Sequence, residues 1–280
     1  MPARLDVISF LSDYGRTDEF VGVCHGVMLD LAPHVRVLDI THDVPVFDIR
    51  AGALALVRAV QYLPAGVVLA VVDPGVGTER RAIAVEVEHG FFVGPDNGLL
   101  APAVAMLGGP LRVVACENPE LQLPAPGPTF AGRDVMAPAA AHLANGGELA
   151  DLGPAVDPAS LAPGLLPLPE LGDDGTLACE VLWVDRFGNC QLNVGAEQLE
   201  ELGVHPGDAV EVRVGNSGRR ARWVGTFADA KPSELILLID SYGAAALALD
   251  RASAAAELKL RAGSKCILVP PNAAPTGSGQ

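Results

Sequence analysis

Residues 65–81 read Ala-Gly-Val-Val-Leu-Ala-Val-Val-Asp-Pro-Gly-Val-Gly-Thr-Glu-Arg-Arg. The unbroken apolar run from Ala65 to Val72 predicts a strand buried on both faces, as in a parallel sheet covered by helices. It stops on a carboxylate, Asp73, and a Pro-Gly-x-Gly turn follows. In open α/β sheets ligands bind beyond the carboxyl ends of the strands. Asp73 therefore stands where a site is expected, and the glycines let a ligand approach the backbone. A single segment of this kind could equally be a plain turn with a capping Asp and solvated arginines. The pattern recurs, however. Leu5 to Leu11 gives way to Ser12-Asp13-Tyr14-Gly15, Phe91 to Val93 runs into Gly94-Pro95-Asp96-Asn97-Gly98, and Trp183-Val184 leads to Asp185-Arg186-Phe187-Gly188-Asn189. A short polar side chain, a glycine and an aromatic neighbour at several strand ends suit ribose hydroxyls and a stacked flat base.

The first half alternates strand-like and helix-like segments. Strands are predicted at 5–11, 35–40, 65–72, 82–87, 91–93 and 111–115. Helices are predicted over 20–31, with Thr17 as N-cap, and over 49–60, 99–107 and 134–143. Such alternation predicts a mainly parallel sheet with flanking helices, an N-terminal α/β domain over 1–165. A Pro/Leu/Gly-rich linker over 154–175 interrupts it. Short strands at 177–184, 190–194, 209–214, 221–226, 235–239 and 265–269, with a short helix at 195–202, predict a smaller C-terminal antiparallel β-barrel-like domain over 166–270. The end, 271–280, reads as a disordered tail.

The 280 residues carry a formal charge of −15, which opposes binding to nucleic acid phosphates and suits a cationic small molecule. Cys24, Cys116, Cys179, Cys190 and Cys266 are odd in number and form no C-x-x-C, so neither a disulfide framework nor a zinc cluster is expected. Four of them lie in apolar contexts and read as buried thiols. There is no HExxH, no Cys/His pairing and no Walker A lysine, so no metal site and no NTP hydrolysis is expected. No G-x-G-x-x-G follows the first strand, which argues against a dinucleotide-dependent dehydrogenase. Charged residues interrupt the first apolar segment, and Arg58 breaks the run after Ala51. The expectation is a soluble, cytoplasmic protein without a membrane span.

Seven segments, in order FLSDYG, DITHDVPVFDIRAGA, VVDPGVGTERR, FFVGPDNGLL, TFAGRDVMAPAAA, DRFGNCQLN and LIDSYG, together resemble the S-adenosylmethionine (SAM) hydroxide adenosyltransferases, or SAM hydrolases, relatives of the SAM-dependent fluorinase and chlorinase. The resemblance implies attack of water on the ribose C5′ of SAM, giving adenosine and L-methionine, with SAM as substrate and no cofactor. It implies that Asp73 holds the water and that Arg80 orients Asp73 through a fork-shaped hydrogen bond, with Arg81 as the alternative arginine. Asp13 would accept the ribose hydroxyls, Phe187 would stack on adenine and Asn189 would read its edge. Asp185, Ser241 and Tyr242 would face the methionine. Phe130 would wall the C5′ pocket, and Asn97 matches the family while also suiting a plain turn. It further implies a homotrimer with sites at subunit interfaces.

One position departs from the pattern. The family's hydrolases carry a His between the Phe and Gly of Thr129-Phe130-Ala131-Gly132; here Ala131 has no proton to move. Either the Asp/Arg pair suffices or the site is impaired. Two alternatives to hydrolysis stay open: a halogenase-like enzyme, with room for an anion at Ala131, and a non-catalytic SAM or adenosine binder. An ionised Asp73 would repel a halide, which favours hydrolysis. His25, His42 and His142 are the substitutes to consider for the missing His.

Overall fold

The structure is a computed structural model that describes residues 4–164 and 166–271. The expected disordered tail lies, from Asn272 onward, outside the described residues. The chain divides into two compact units, Met1–Leu165 and Leu166–Gln280.

In the first unit the chain runs β1 (Val7–Ser12), α1 (Phe20–Leu31), β2 (Arg36–Thr41), α2 (Ile49–Val60), β3 (Gly66–Val71), β4 (Ala82–Val87), β5 (Gly90–Pro95), α3 (Ala101–Met106) and β6 (Arg112–Ala115). A π-helical turn, Gly132–Met136, then runs directly into α4 (Ala137–Ala144). Six strands form one sheet in the order β2-β1-β3-β5-β4-β6. Neighbours β2, β1, β3 and β5 are parallel, whereas β4 runs antiparallel to both β5 and β6. The reversal follows from the two-residue connection at Glu88-His89, too short for a crossover helix.

β3 is buried along its whole length, as its apolar run requires. Its two faces meet different helices. Val67, Leu69 and Val71 share a core with Met28 of α1 and Ala137, Ala140 and Ala141 of α4. The other face meets α2 so closely that a Cβ on Gly52 would stand 2.9 Å from Val72 Cγ2 and 2.8 Å from Leu99 Cδ1. Any side chain there would force Val72 or Leu99 to shift.

Several local expectations need correction. Thr17 does not cap α1; Glu19 holds the N-cap position without a side-chain hydrogen bond. The helix expected over 134–143 begins instead as the π turn, in which the Ala137 N–H reaches back to the Gly132 carbonyl. The proposed linker is partly fixed: the Ala115 N–H donates to the Pro154 carbonyl at 2.9 Å, and the Val156 N–H to Val113 at 2.9 Å.

In the second unit, β7 (Glu170–Leu171), β8 (Leu177–Val184), β9 (Cys190–Gly195), α5 (Ala196–Glu201), β10 (Ala209–Val214), β11 (Ser217–Trp223), β12 (Leu235–Ile239), β13 (Ala244–Leu249), α6 (Ala254–Leu258) and β14 (Lys265–Val269) follow in turn. Seven strands close into a barrel in the order β14-β10-β11-β12-β13-β9-β8, with β8 pairing back onto β14 and β7 lying against β8. Val181, Leu192, Val212, Leu237, Leu247 and Leu268 belong to its apolar core. All pairings around the barrel are antiparallel except β11–β12, which is parallel. β13 and α6 were not anticipated: Ala244–Leu249 is alanine-rich, and alanine carries no strand signal.

Candidate active site

β1 and β3 are parallel neighbours, with Ser12 level with Val71. The chain passes from β1 to β2 on one side and then to β3 on the other. The strand order therefore reverses at β1/β3, the place where α/β sheets open a crevice beyond the strand ends. Asp13 and Asp73 leave the sheet there. Both line a cavity of about 550 Å³ together with Tyr14, Phe47, Phe130 and Ala131.

The segment after β3 folds back on itself. The Val76 N–H donates to the Asp73 carbonyl at 3.3 Å, and the Thr78 hydroxyl to the Gly75 carbonyl at 2.7 Å. This turn, with Gly77 at φ 78°, brings Arg80 onto Asp73. Arg80 Nε donates to Asp73 Oδ1 at 2.8 Å and Nη2 to Oδ2, a fork in which the side chains are only 14 % and 6 % exposed. Each carboxylate oxygen keeps a second lone pair for a further donor. Arg81 faces elsewhere: it forks onto Asp96 and reaches the Ser160 carbonyl at 3.0 Å.

Asp13 Oδ2 accepts the N–H of Phe47 at 2.9 Å. Phe47 is exposed and has φ 67°, a conformation uncommon for a bulky residue that concentrates at functional sites. Burial raises the Asp13 pKa; the Phe47 N–H opposes this and the charge of Asp73 adds to it. Tyr14, Phe20 and Phe130 stack edge-on at 5.9, 5.5 and 5.3 Å between centroids. Burial pushes the Tyr14 hydroxyl well above the ordinary tyrosine pKa, so it stays a hydrogen-bond donor. Arg133 caps the Phe130 ring at 4.9 Å and pairs with Asp134. Ala131 is half-buried and opens the π turn. Sequence reading missed Tyr14 and Phe47, which line the cavity; the aromatic next to Asp13 was the signal for the first.

Asn97 does not reach this cavity. Its amide donates to the Val72 carbonyl at 2.9 Å and accepts from the Leu99 N–H at 3.1 Å, bracing the end of β3. Of the candidate histidines, His142 lies against Glu148 and Asp151. His25 and His42 both face Asp39.

The second unit gathers the remaining candidates on two turns. Asp185 Oδ1 accepts from the N–H groups of Phe187 and Asn189, both at 2.9 Å, and Oδ2 accepts from Asn189 Nδ2 at 2.7 Å. Its carboxylate is thus the organiser of the turn. Phe187, 78 % exposed, lines a cavity of about 540 Å³ with Asn189, Phe227, Asp250, Arg251 and Ser253. Ser241 and Tyr242 are exposed on the β12–β13 turn, which Asp240 shapes by accepting from the N–H groups of Tyr242 and Ala244.

Comparison with known proteins gives a consistent result. Residues 8–153 match the SAM hydroxide adenosyltransferase N-terminal domain and residues 179–267 the corresponding C-terminal domain. A protein of Salinispora tropica named (R)-S-adenosyl-L-methionine hydrolase is 48 % identical over 92 % of this chain and 95 % of its own length. One of the same name from Thermus thermophilus is 42 % identical over 91 % and 96 %. A fluorinase of Actinoplanes is 30 % identical over 94 % and 97 %. The solved structure of an uncharacterized conserved protein from Thermotoga maritima superposes with a TM-score of 0.86 at 33 % identity, over 94 % of this chain and 99 % of that one.

Proposed function

The chain belongs to the SAM hydroxide adenosyltransferase family, and from that membership we propose that it hydrolyses S-adenosyl-L-methionine at the ribose C5′, releasing adenosine and L-methionine. The observation that carries the reading is Asp73, which lines the cavity at the β1/β3 crevice while Arg80 forks onto its carboxylate. The water oxygen bonds to C5′, the C5′–S bond breaks with its electron pair going to sulfur, and one water proton is lost. The leaving thioether is neutral and needs no acid. The demand falls on the nucleophile, which Asp73 orients and relieves of its proton while Arg80 fixes the carboxylate. No metal or cofactor enters these steps.

Asp13 receives the ribose hydroxyls. Phe187 stacks on adenine and Asn189 reads its edge, held by Asp185, while Ser241 and Tyr242 face the methionine. Phe130 walls the reacting carbon. The reading includes a homotrimer with sites at subunit interfaces, as the family resemblance implies, and mass measurement in solution tests it. It also includes a cytoplasmic location, supported by five buried cysteines that form no disulfide. Among the described residues no helix is long and apolar enough to cross a membrane.

The deciding experiment is incubation with SAM, with and without fluoride or chloride, and identification of the products. Adenosine plus methionine is expected under both conditions. A 5′-halo nucleoside would make the protein a halogenase, and intact bound SAM would make it a binder.

A further inference from the structure

Beside the cavity, at the neighbouring strand ends, three side chains able to ligate a metal converge. His25 comes from α1, Asp39 from β2 and His42 from the turn after β2. Their ligand atoms lie within 4.8 Å of one another. His25 Nε2 is 2.8 Å from Asp39 Oδ1, and His42 Nε2 is 3.0 Å from the same oxygen. A hydrogen bond accounts for the first contact but not for the second. His42 is 1 % exposed, and its Nε2 meets Asp39 outside hydrogen-bonding geometry, leaving a buried ring nitrogen aimed at the cluster without a hydrogen-bond partner. Buried polar atoms of this kind are rare and call for an explanation.

We propose that His25, Asp39 and His42 bind a divalent transition-metal cation of the zinc type, which anchors the loop carrying Asp13. Two imidazoles and a carboxylate are a borderline donor set suited to such ions. Ligand atoms sharing a tetrahedral zinc at about 2.0–2.1 Å stand about 3.3 Å apart; the two nitrogen–oxygen spacings here are 2.8 and 3.0 Å, and all three ligand atoms lie within 4.8 Å. An outer partner is in place: Ser12 Oγ lies 2.7 Å from His42 Nδ1. With Nδ1–H donated to Ser12, the Nε2 lone pair faces the cluster, which is how metal-bound histidines are oriented. The Phe10 ring, 4.6 Å from His42 and 6.0 Å from His25, walls one side. The His25 and Asp39 side chains are 27 % and 36 % exposed, which gives the ion an entry path and leaves a position for water.

The cluster is tied to the cavity through the backbone. Ser12 immediately precedes Asp13, and the Gly15 N–H donates to the His42 carbonyl at 2.8 Å. A cation holding His42 therefore holds both flanks of Asp13. The consequence for nucleoside binding rests on the SAM hydrolase reading; the cation site itself does not.

The test is calorimetry of chelator-stripped protein titrated with zinc chloride alone. One equivalent should bind, with a dissociation constant in the micromolar range or tighter. Asp39→Asn and His25→Gln alter partly exposed groups; circular dichroism confirms their fold, and each should weaken zinc at least tenfold. Ser12→Ala should weaken it about 10–100-fold, the effect of losing a partner behind a ligand. No saturable binding, or unchanged binding in both His25→Gln and Asp39→Asn, overturns the proposal. A second titration, with adenosine, should show binding with chelator present and severalfold tighter binding with zinc; equal affinities would overturn the anchoring role. The zinc titration contains no nucleoside, so failure to turn over SAM leaves it standing. A protein that hydrolyses SAM but takes no zinc overturns this inference alone.

Discussion

Arg80 and Arg81 are adjacent in the chain and chemically identical, yet one holds Asp73 and the other Asp96. The difference comes from the Gly75–Gly77 turn, whose conformation is not written in residue types alone. Sequence motifs named the pair of candidates; only the folded turn separates them. Asp73→Asn keeps the shape but loses the charge that draws a proton from water. Adenosine release should fall by about 10²–10⁴-fold, the usual scale of general-base assistance, with adenosine affinity nearly unchanged. A parent-like rate would reduce Asp73 to a turn residue. At position 131 the sign is reversed: Ala131→His adds an imidazole beside the pair, and the gain should appear in kcat more than in KM when adenosine release is followed at saturating SAM. Because such groups act as a unit, the increase can fall short of the full base effect.

Asp13 carries a cost that function explains. Its folded pKa lies above its unfolded value because burial disfavours the charge. The native state thus holds its proton to higher pH than the unfolded chain does. Stability therefore falls as pH rises through that window and stays lower above it. Asp13→Asn should raise the melting temperature at pH 7 while weakening adenosine. In the parent, adenosine affinity should drop on acidification at a pH above the ordinary aspartate range. Calorimetry from neutral to acid pH checks this, and an affinity unchanged until the ordinary range would refute it.

At the scale of elements, the long apolar run and the recurring Asp-Gly strand ends made β1, β3 and β5 legible, and with them the β1/β3 crevice. What stayed hidden depends on pairing. The parallel β11–β12 pair and the alanine-rich β13 have no local signature. The His25–Asp39–His42 cluster is spread over a helix, a strand and a turn, so no spacing rule reveals it. The π turn is a further case. A Cβ on Gly132 would stand 2.0 Å from the Tyr14 hydroxyl, so the missing side chain at this position lets the backbone lie directly against the ring. Gly132→Ala should destabilise the protein by about 1–3 kcal/mol, the cost of overpacking. Combining it with Tyr14→Phe, which removes the clashing oxygen, should recover part of the loss in denaturant melts. No recovery would mean that the strain lies in the turn itself.

For the molecule as a whole, the thiols define an inert interior. Burial pushes Cys24, Cys116 and Cys190 up to about 12 and keeps all five thiols from reagent, so the native protein should resist alkylation by iodoacetamide at pH 8 and react fully only when denatured. The barrel adds a time dimension to this. Its seam is the pairing of β8 with β14, strands at opposite ends of the second unit, where Cys179 and Cys266 face each other with their sulfur atoms 3.3 Å apart. Such long-range pairing is slow because the chain between must be ordered first. Neither thiol can be sheltered by its seam partner before the ring shuts. Pulses of alkylating reagent during refolding should therefore find these two among the last to be protected, later than Cys190 on the β9 side, making them a clock for the moment of closure.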